Sequence, residues 1–156
     1  GVPFAAVGAA VHAHALALGF DVVREFTGHG IGGEFHMFPY VLHTPLETYL
    51  ADNPRFRAEV AAAGGMPGAA ALHPMVNPGV MEPGMAFTIE PVVTEHAPAW
   101  EMWSGADADG WTAVTKDGGL TAQAEHTLLV REDGIEVLTT REGWDDDLKR
   151  AASVMS

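Results

Sequence analysis

Gly28-His29-Gly30-Ile31-Gly32, followed by Phe35-His36 and Pro39, is the stretch on which the reading of this chain turns. Glycine readily takes backbone angles that other residues avoid, so the spacing predicts a glycine turn carrying two histidines seven residues apart. Two carboxylates further along stand in apolar, β-branched surroundings. Glu90 lies in Ala86-Phe87-Thr88-Ile89-Glu90-Pro91, and Glu125 in Gln123-Ala124-Glu125-His126-Thr127-Leu128. Both read as acids inside buried strands, where an ionised group is costly unless a cation meets it. Convergence of His29, Glu90 and Glu125 on a metal ion is the simplest way to meet that need.

Composition narrows the alternatives. The 156 residues make one domain or part of one, and 47% hydrophobic residues suffice for a core. Eight Lys and Arg against 21 Asp and Glu give a net charge of −13, which argues against nucleic acid or an anionic membrane as partner. No apolar run reaches the roughly 18–20 residues of a membrane span. There are no cysteines, so a metal site must draw on imidazole and carboxylate, a donor set that suits Mn, Fe, Co or Zn. The bland alternative for either acid is a salt bridge, yet no Lys or Arg stands near Glu90 in sequence. For His36, a satisfied core histidine is as good a reading as a functional one. His126 alternates with Glu125 and is expected to face away from the site.

Along the chain, Val2–Leu18 has apolar residues at helical spacing and stops at Gly19, a C-terminal cap signal. His12 and His14 are expected to face solvent on that helix. Phe20–Phe26 reads as a strand, and Phe35–Leu42 as an extended segment. Asn53-Pro54 pairs a capping residue with proline at the first helical position, predicting a helix to about Ala63. Gly64–Gly84, rich in Gly, Pro, Ala and Met, reads as loop, and residues 44–79 as a surface insertion. Met85–Thr94 is a predicted strand, then Trp111–Thr115, the long strand Leu120–Arg131, and Ile135–Leu138 after the Asp133-Gly134 turn. The acidic segment from Glu142 is expected to fray.

The glycine stretch with Phe35-His36 and Pro39, then Gly84-Met85-Ala86-Phe87-Thr88-Ile89-Glu90-Pro91, then Gln123-Ala124-Glu125-His126-Thr127, strongly resembles the type I methionine aminopeptidases of the M24 metallopeptidase family. The resemblance runs from the first helix to about Leu138. It implies an α+β "pita-bread" fold, a curved antiparallel sheet with helices on one face. It implies removal of the N-terminal methionine from nascent polypeptides by a metal-activated water. His29, Glu90 and Glu125 match metal ligands, Glu125 as the carboxylate shared by two ions. Glu90 also matches the proposed general base, and His36 the histidine that contacts the substrate carbonyl. Phe35 and Trp111 match walls of the methionine pocket. Prolidases and aminopeptidase P share the fold but typically carry an Arg-x-Glu-Asp-like signature where this chain has Gln-Ala-Glu-His-Thr.

The family's two aspartate ligands and a further catalytic histidine belong to a first half that has no match here. The expectation is therefore a C-terminal portion of one peptidase domain over 1–156, its N-terminal half incomplete. Such a portion would hold at most one divalent ion (Co, Mn, Fe or Zn) and turn over little substrate. A nascent polypeptide or peptide is the expected partner, a monomer the expected state, and the cytoplasm the expected compartment. A peptide- or partner-binding module of the same fold, without catalysis, is the alternative.

Overall fold

A computed structural model describes residues 1–69, 75–76 and 78–144. Residues 70–74 and 77 of the predicted loop 64–84, and the acidic segment beyond Trp144, lie outside the described residues. Helix α1 (Ala5–Ala17) ends where Gly19 takes φ +82°, as its cap signal predicts. The chain then forms β1 (Asp21–Val22), β2 (Gly28–Ile31) and β3 (Met37–Val41), three short helices α2 (Leu46–Asp52), α3 (Pro54–Ala62) and α4 (Met66–Ala69), then β4 (Ala86–Ile89) and β5 (Val92–Thr94). A hairpin of β6 (Trp100–Met102) and β7 (Ala113–Thr115) precedes β8 (Thr121–Gln123), β9 (His126–Arg131) and β10 (Gly134–Val137).

The strands pair antiparallel into a five-stranded sheet ordered β10-β9-β4-β2-β3, a three-stranded sheet β1-β5-β8 and the β6-β7 hairpin. This is an α+β arrangement. Phe4 of the N-terminal segment stacks edge-on against Phe87, ring centroids 5.1 Å apart, and with Val41 and Val130 forms the core under the larger sheet. Each such buried side chain contributes about 1.5–3 kcal/mol. A second core lies among the short helices: Leu42, Tyr49, Phe56, Val60 and Ala69. The Asn53 side chain accepts the Phe56 N–H at 3.1 Å and so starts α3 as expected. No helix among the described residues is long and apolar enough to cross a membrane.

Four expectations change. The glycine stretch is not a turn, because Gly28–Ile31 is a strand inside the larger sheet and neither Gly28 nor Gly30 has positive φ. These glycines serve close approach instead: a Cβ on Gly28 would sit 2.2 Å from the Thr88 carbonyl oxygen, and one on Gly30 2.3 Å from that of Phe38. Phe20–Phe26 contributes only the two residues of β1. The predicted loop 64–84 contains α4, and α2 forms ahead of the predicted helix. His12, expected to face solvent, is buried because its Nε2 meets Asp21 Oδ1 at 3.2 Å.

The two long predicted strands are also each broken in two. Met85–Thr94 divides into β4 and β5 at Glu90-Pro91, and Leu120–Arg131 into β8 and β9 at Ala124-Glu125. Proline has no N–H to give a ladder, which makes Pro91 a natural interruption. The register is nonetheless continuous across both breaks: Ile89 pairs with His126 and Val92 with Gln123. The same register sets Glu90 opposite Glu125, where one sheet hands over to the other.

Candidate metal centre

Three groups from distant parts of the sequence meet at this junction. One ligand atom each from His29, Glu90 and Glu125 lies within 4.8 Å of the others. The His29 ring is buried, and the Glu90 side chain is 17% exposed. Glu125, read from sequence as a buried acid, is exposed, as are the residues of the edge strand β8 before it. Glu90 is therefore largely withdrawn from solvent and Glu125 is not.

The orientation of His29 follows from its neighbours. Its backbone N–H donates to Thr88 Oγ1 at 3.0 Å, and its Nδ1 lies 3.1 Å from the Gly30 carbonyl oxygen. A carbonyl only accepts, so Nδ1 carries the proton and Nε2 presents its lone pair. That lone pair faces Glu90 Oε1 at 3.3 Å. Two acceptor atoms at this distance need a proton or a metal ion between them. Two ligands held at bonds of about 2.0–2.2 Å to one ion lie roughly 3–3.5 Å apart, so the pair fits a metal. The arginines whose ion pairs are seen are engaged elsewhere: Arg24 with Asp21 and Asp52, Arg55 with Glu59, Arg131 with Glu136.

Glu90 is held at several atoms. Thr88 donates its hydroxyl to Glu90 Oε1 at 2.7 Å, so one threonine ties both His29 and Glu90. The Glu90 N–H donates to His43 Nε2 at 3.1 Å, and Gln123 Nε2 donates to the Glu90 carbonyl at 3.1 Å. His43 was given no role by sequence reasoning. Its ring is 1% exposed, and its Nδ1 donates to the Phe26 carbonyl at 3.0 Å. Burial pushes its pKa below the ordinary 6.5, outweighing the bond to Phe26, which raises it. Its partners are 17 and 47 residues away, so no local pattern could have marked it.

The remaining predicted residues are distributed unevenly. The His36 ring lies 4.4 Å from that of His29, edge to face, and Phe35 packs 4.8 Å from His36 and 5.6 Å from His29. Phe35 is nonetheless 67% exposed. Trp111 lies just before β7, outside the strand expected to begin there, and its side chain is 86% exposed. His126 bonds Thr139 Oγ1 through Nδ1 at 2.9 Å and stacks on Trp144, away from the ligand group. A groove of about 670 Å³ lies elsewhere, between α1 and the smaller sheet, lined by Val11, Leu18, Phe20, Val93 and Leu120. It is mainly apolar, and none of His29, Glu90 and Glu125 lines it.

Residues 1–132 match the sequence model of metallopeptidase family M24. The chain belongs to that family. Among M24 relatives, it is 40% identical over 133 residues to methionine aminopeptidase 2 of Mycobacterium tuberculosis, covering 85% of this chain and 35% of that protein. It is 41% identical over 136 residues to methionine aminopeptidase A of Synechocystis sp., covering 87% and 41%. The crystal structure of methionine aminopeptidase from Rickettsia prowazekii matches with TM-score 0.63 at 30% identity, over 90% of this chain and 44% of that one. The Thermotoga maritima enzyme gives 0.64 at 29% identity, with the same coverage. The fold is thus the pita-bread fold of these structures. The chain spans less than half the length of the relatives it matches. Membership of a metallopeptidase family and the cluster of His29, Glu90 and Glu125 agree on divalent metal use.

Proposed function

We propose that this chain carries part of the active site of a methionine-type aminopeptidase and that His29, Glu90 and Glu125 bind one divalent ion, Co, Mn, Fe or Zn. The observation that carries this is the facing of His29 Nε2 and Glu90 Oε1, with Glu125 within 4.8 Å. A divalent ion so held would polarise a peptide carbonyl and acidify water. Glu90 is then the base that takes the proton from the attacking water. His36 donates a hydrogen bond to the carbonyl of the scissile bond, and its ring is steadied by stacking on His29 and Phe35. Phe35 and Trp111 flank the methionine side chain, whose flexible thioether suits aromatic walls.

The substrate is a nascent polypeptide or peptide, cut at its first peptide bond. Residues 1–156 act as the C-terminal part of one peptidase domain in which 44–79 is an insertion, working as a monomer in the cytoplasm. The relatives at 40% and 41% identity are both named methionine aminopeptidases, which favours this reading over a prolidase or aminopeptidase P relative. The exposure of Glu125 favours the second reading, a non-catalytic peptide- or partner-binding module, because an exposed acid has little desolvation to justify.

Calorimetric titration with Mn²⁺ and Co²⁺, paired with hydrolysis of a peptide beginning Met-Ala, decides between them. The expected result is one weakly bound ion, lost in Glu90→Gln, with hydrolysis slow or absent in the chain alone. Two tight sites would refute the single-ion assignment, and no binding would favour the module.

A further inference from the structure

We infer that His43 is a positioning residue that sets the place of Glu90 by acting as a spacer in the sheet; the inference rests on Glu90 being a metal ligand, as proposed above. The β2–β4 register pairs Gly30 with Phe87 and Ile31 with Ala86. Carried three residues on from the Gly30–Phe87 pair, the same count sets Thr27 opposite Glu90. Direct pairing stops before that point, since β2 begins at Gly28 and β4 ends at Ile89. The imidazole of His43 takes over there. Its Nδ1–H donates to the Phe26 carbonyl at 3.0 Å, and its Nε2 accepts the Glu90 N–H at 3.1 Å. One neutral ring thus replaces a strand-to-strand bond with a longer link of fixed length.

The consequence is geometric. His29 rides on β2 and is tied to Thr88 by its own N–H. Glu90 lies two residues beyond Thr88, where the ladder has opened. Its N–H is held by His43 and its carbonyl by Gln123, so both backbone groups are fixed by side chains. His43 reaches this place from just beyond β3, whose last residue Val41 is buried in the core under the sheet, and is itself 1% exposed. A rigid core therefore governs how far the Glu90 carboxylate stands from His29 Nε2. Groups that orient a ligand in this way typically change metal affinity by about 10- to 100-fold when removed.

The test compares His43→Gln, whose amide keeps one donor and one acceptor, with His43→Phe, which keeps a ring and loses both bonds. Co²⁺ affinity is measured by its visible absorbance, amide exchange at Glu90 by NMR without metal, and melting temperature alongside. The expected result is a Kd for Co²⁺ raised about 10- to 100-fold in His43→Phe, with the Glu90 amide losing protection. His43→Gln should recover most of the affinity and protection. Equal Co²⁺ affinity in wild type and His43→Phe overturns the inference, as does His43→Gln damaged as badly as His43→Phe while still melting cooperatively. A wild-type chain that takes up no Co²⁺ while the Glu90 amide is protected overturns the metal reading itself, and the positioning role with it.

Discussion

Phe87 and Phe56 are both buried, and each meets another ring edge-on: Phe87 against Phe4 at 5.1 Å, Phe56 against Tyr49 at 5.6 Å. They belong to cores of different kinds. The helical core draws its buried residues from Leu42 to Ala69, so its contacts are local. The sheet core joins Phe4, Val41, Phe87 and Val130, from four distant parts of the chain. Only the second lies beneath the strands that carry His29 and lead into Glu90 and Glu125. A local core can close or open without moving those groups, whereas a core of long-range contacts sets their separation directly.

Phe87→Ala should therefore have the largest effect. Truncating a buried phenylalanine costs about 3–5 kcal/mol, and the close approach of β2 to β4 at Gly28 leaves little freedom to collapse around the hole. Chemical denaturation should show that loss, and Co²⁺ titration a weakened site in the fraction that remains folded. Unaltered metal affinity in folded Phe87→Ala would break the link between the sheet core and the site.

Phe56→Ala is the matched control. Its cost should fall at the lower end of the same range, about 3 kcal/mol, because short helices can settle into the cavity. Metal affinity, measured by the same titration on folded protein, should stay within about twofold, a difference of roughly 0.4 kcal/mol at 25 °C. A larger change would mean that the helical region and the sheet are one mechanical unit.

The same contrast explains what could be read from the sequence. The start of α3 was legible because its signal is local: Asn53 caps a helix whose first residue is Pro54. His29, Glu90 and Glu125 stood out as polar groups in apolar or glycine-rich settings, and the structure brings them together. The breaks beside the two acids were not legible. Pro91 hints at the first, but nothing near Glu125 announces the second, because the register across both stays continuous. Gly28 and Gly30 were read as turn glycines, since the requirement each meets is a neighbouring carbonyl that no glycine spacing announces: that of Thr88, 60 residues on, for Gly28, and that of Phe38, eight residues on, for Gly30. The role of His43 was hidden for the same reason.

A smaller effect should follow from Asn53→Ala. The variant removes the acceptor for the Phe56 N–H, and loss of such a cap costs about 1 kcal/mol. Asn53 also donates to the Tyr49 hydroxyl at 3.3 Å, so α2 and α3 should loosen together. Amide exchange should quicken in residues 54–62 and remain unchanged in β4 and β9. Faster exchange in β4 would show that the two cores open as one.

The smallest effect concerns the seam between the regions. Arg24 donates to Asp21 on β1 and to Asp52 at the end of α2, joining the smaller sheet to the helices. Burial pushes the Asp21 carboxyl up, but the bonds from Arg24, the Val22 N–H and His12, with the Arg24 charge, together outweigh it. The net pKa lies below the ordinary 3.8. A carboxyl depressed by folding adds stability that is fully present above 3.8 and is lost as pH falls through its lowered folded value. Because burial opposes its partners, the net contribution is a small difference between larger ones. The melting temperature of wild type minus that of Asp21→Asn should thus hold level above pH 5, about one unit clear of the ordinary carboxylate value, and shrink below 3.8. A difference that stays constant down through that window would mean that Asp21 keeps its partners in the unfolded chain, and that the seam does not depend on the fold.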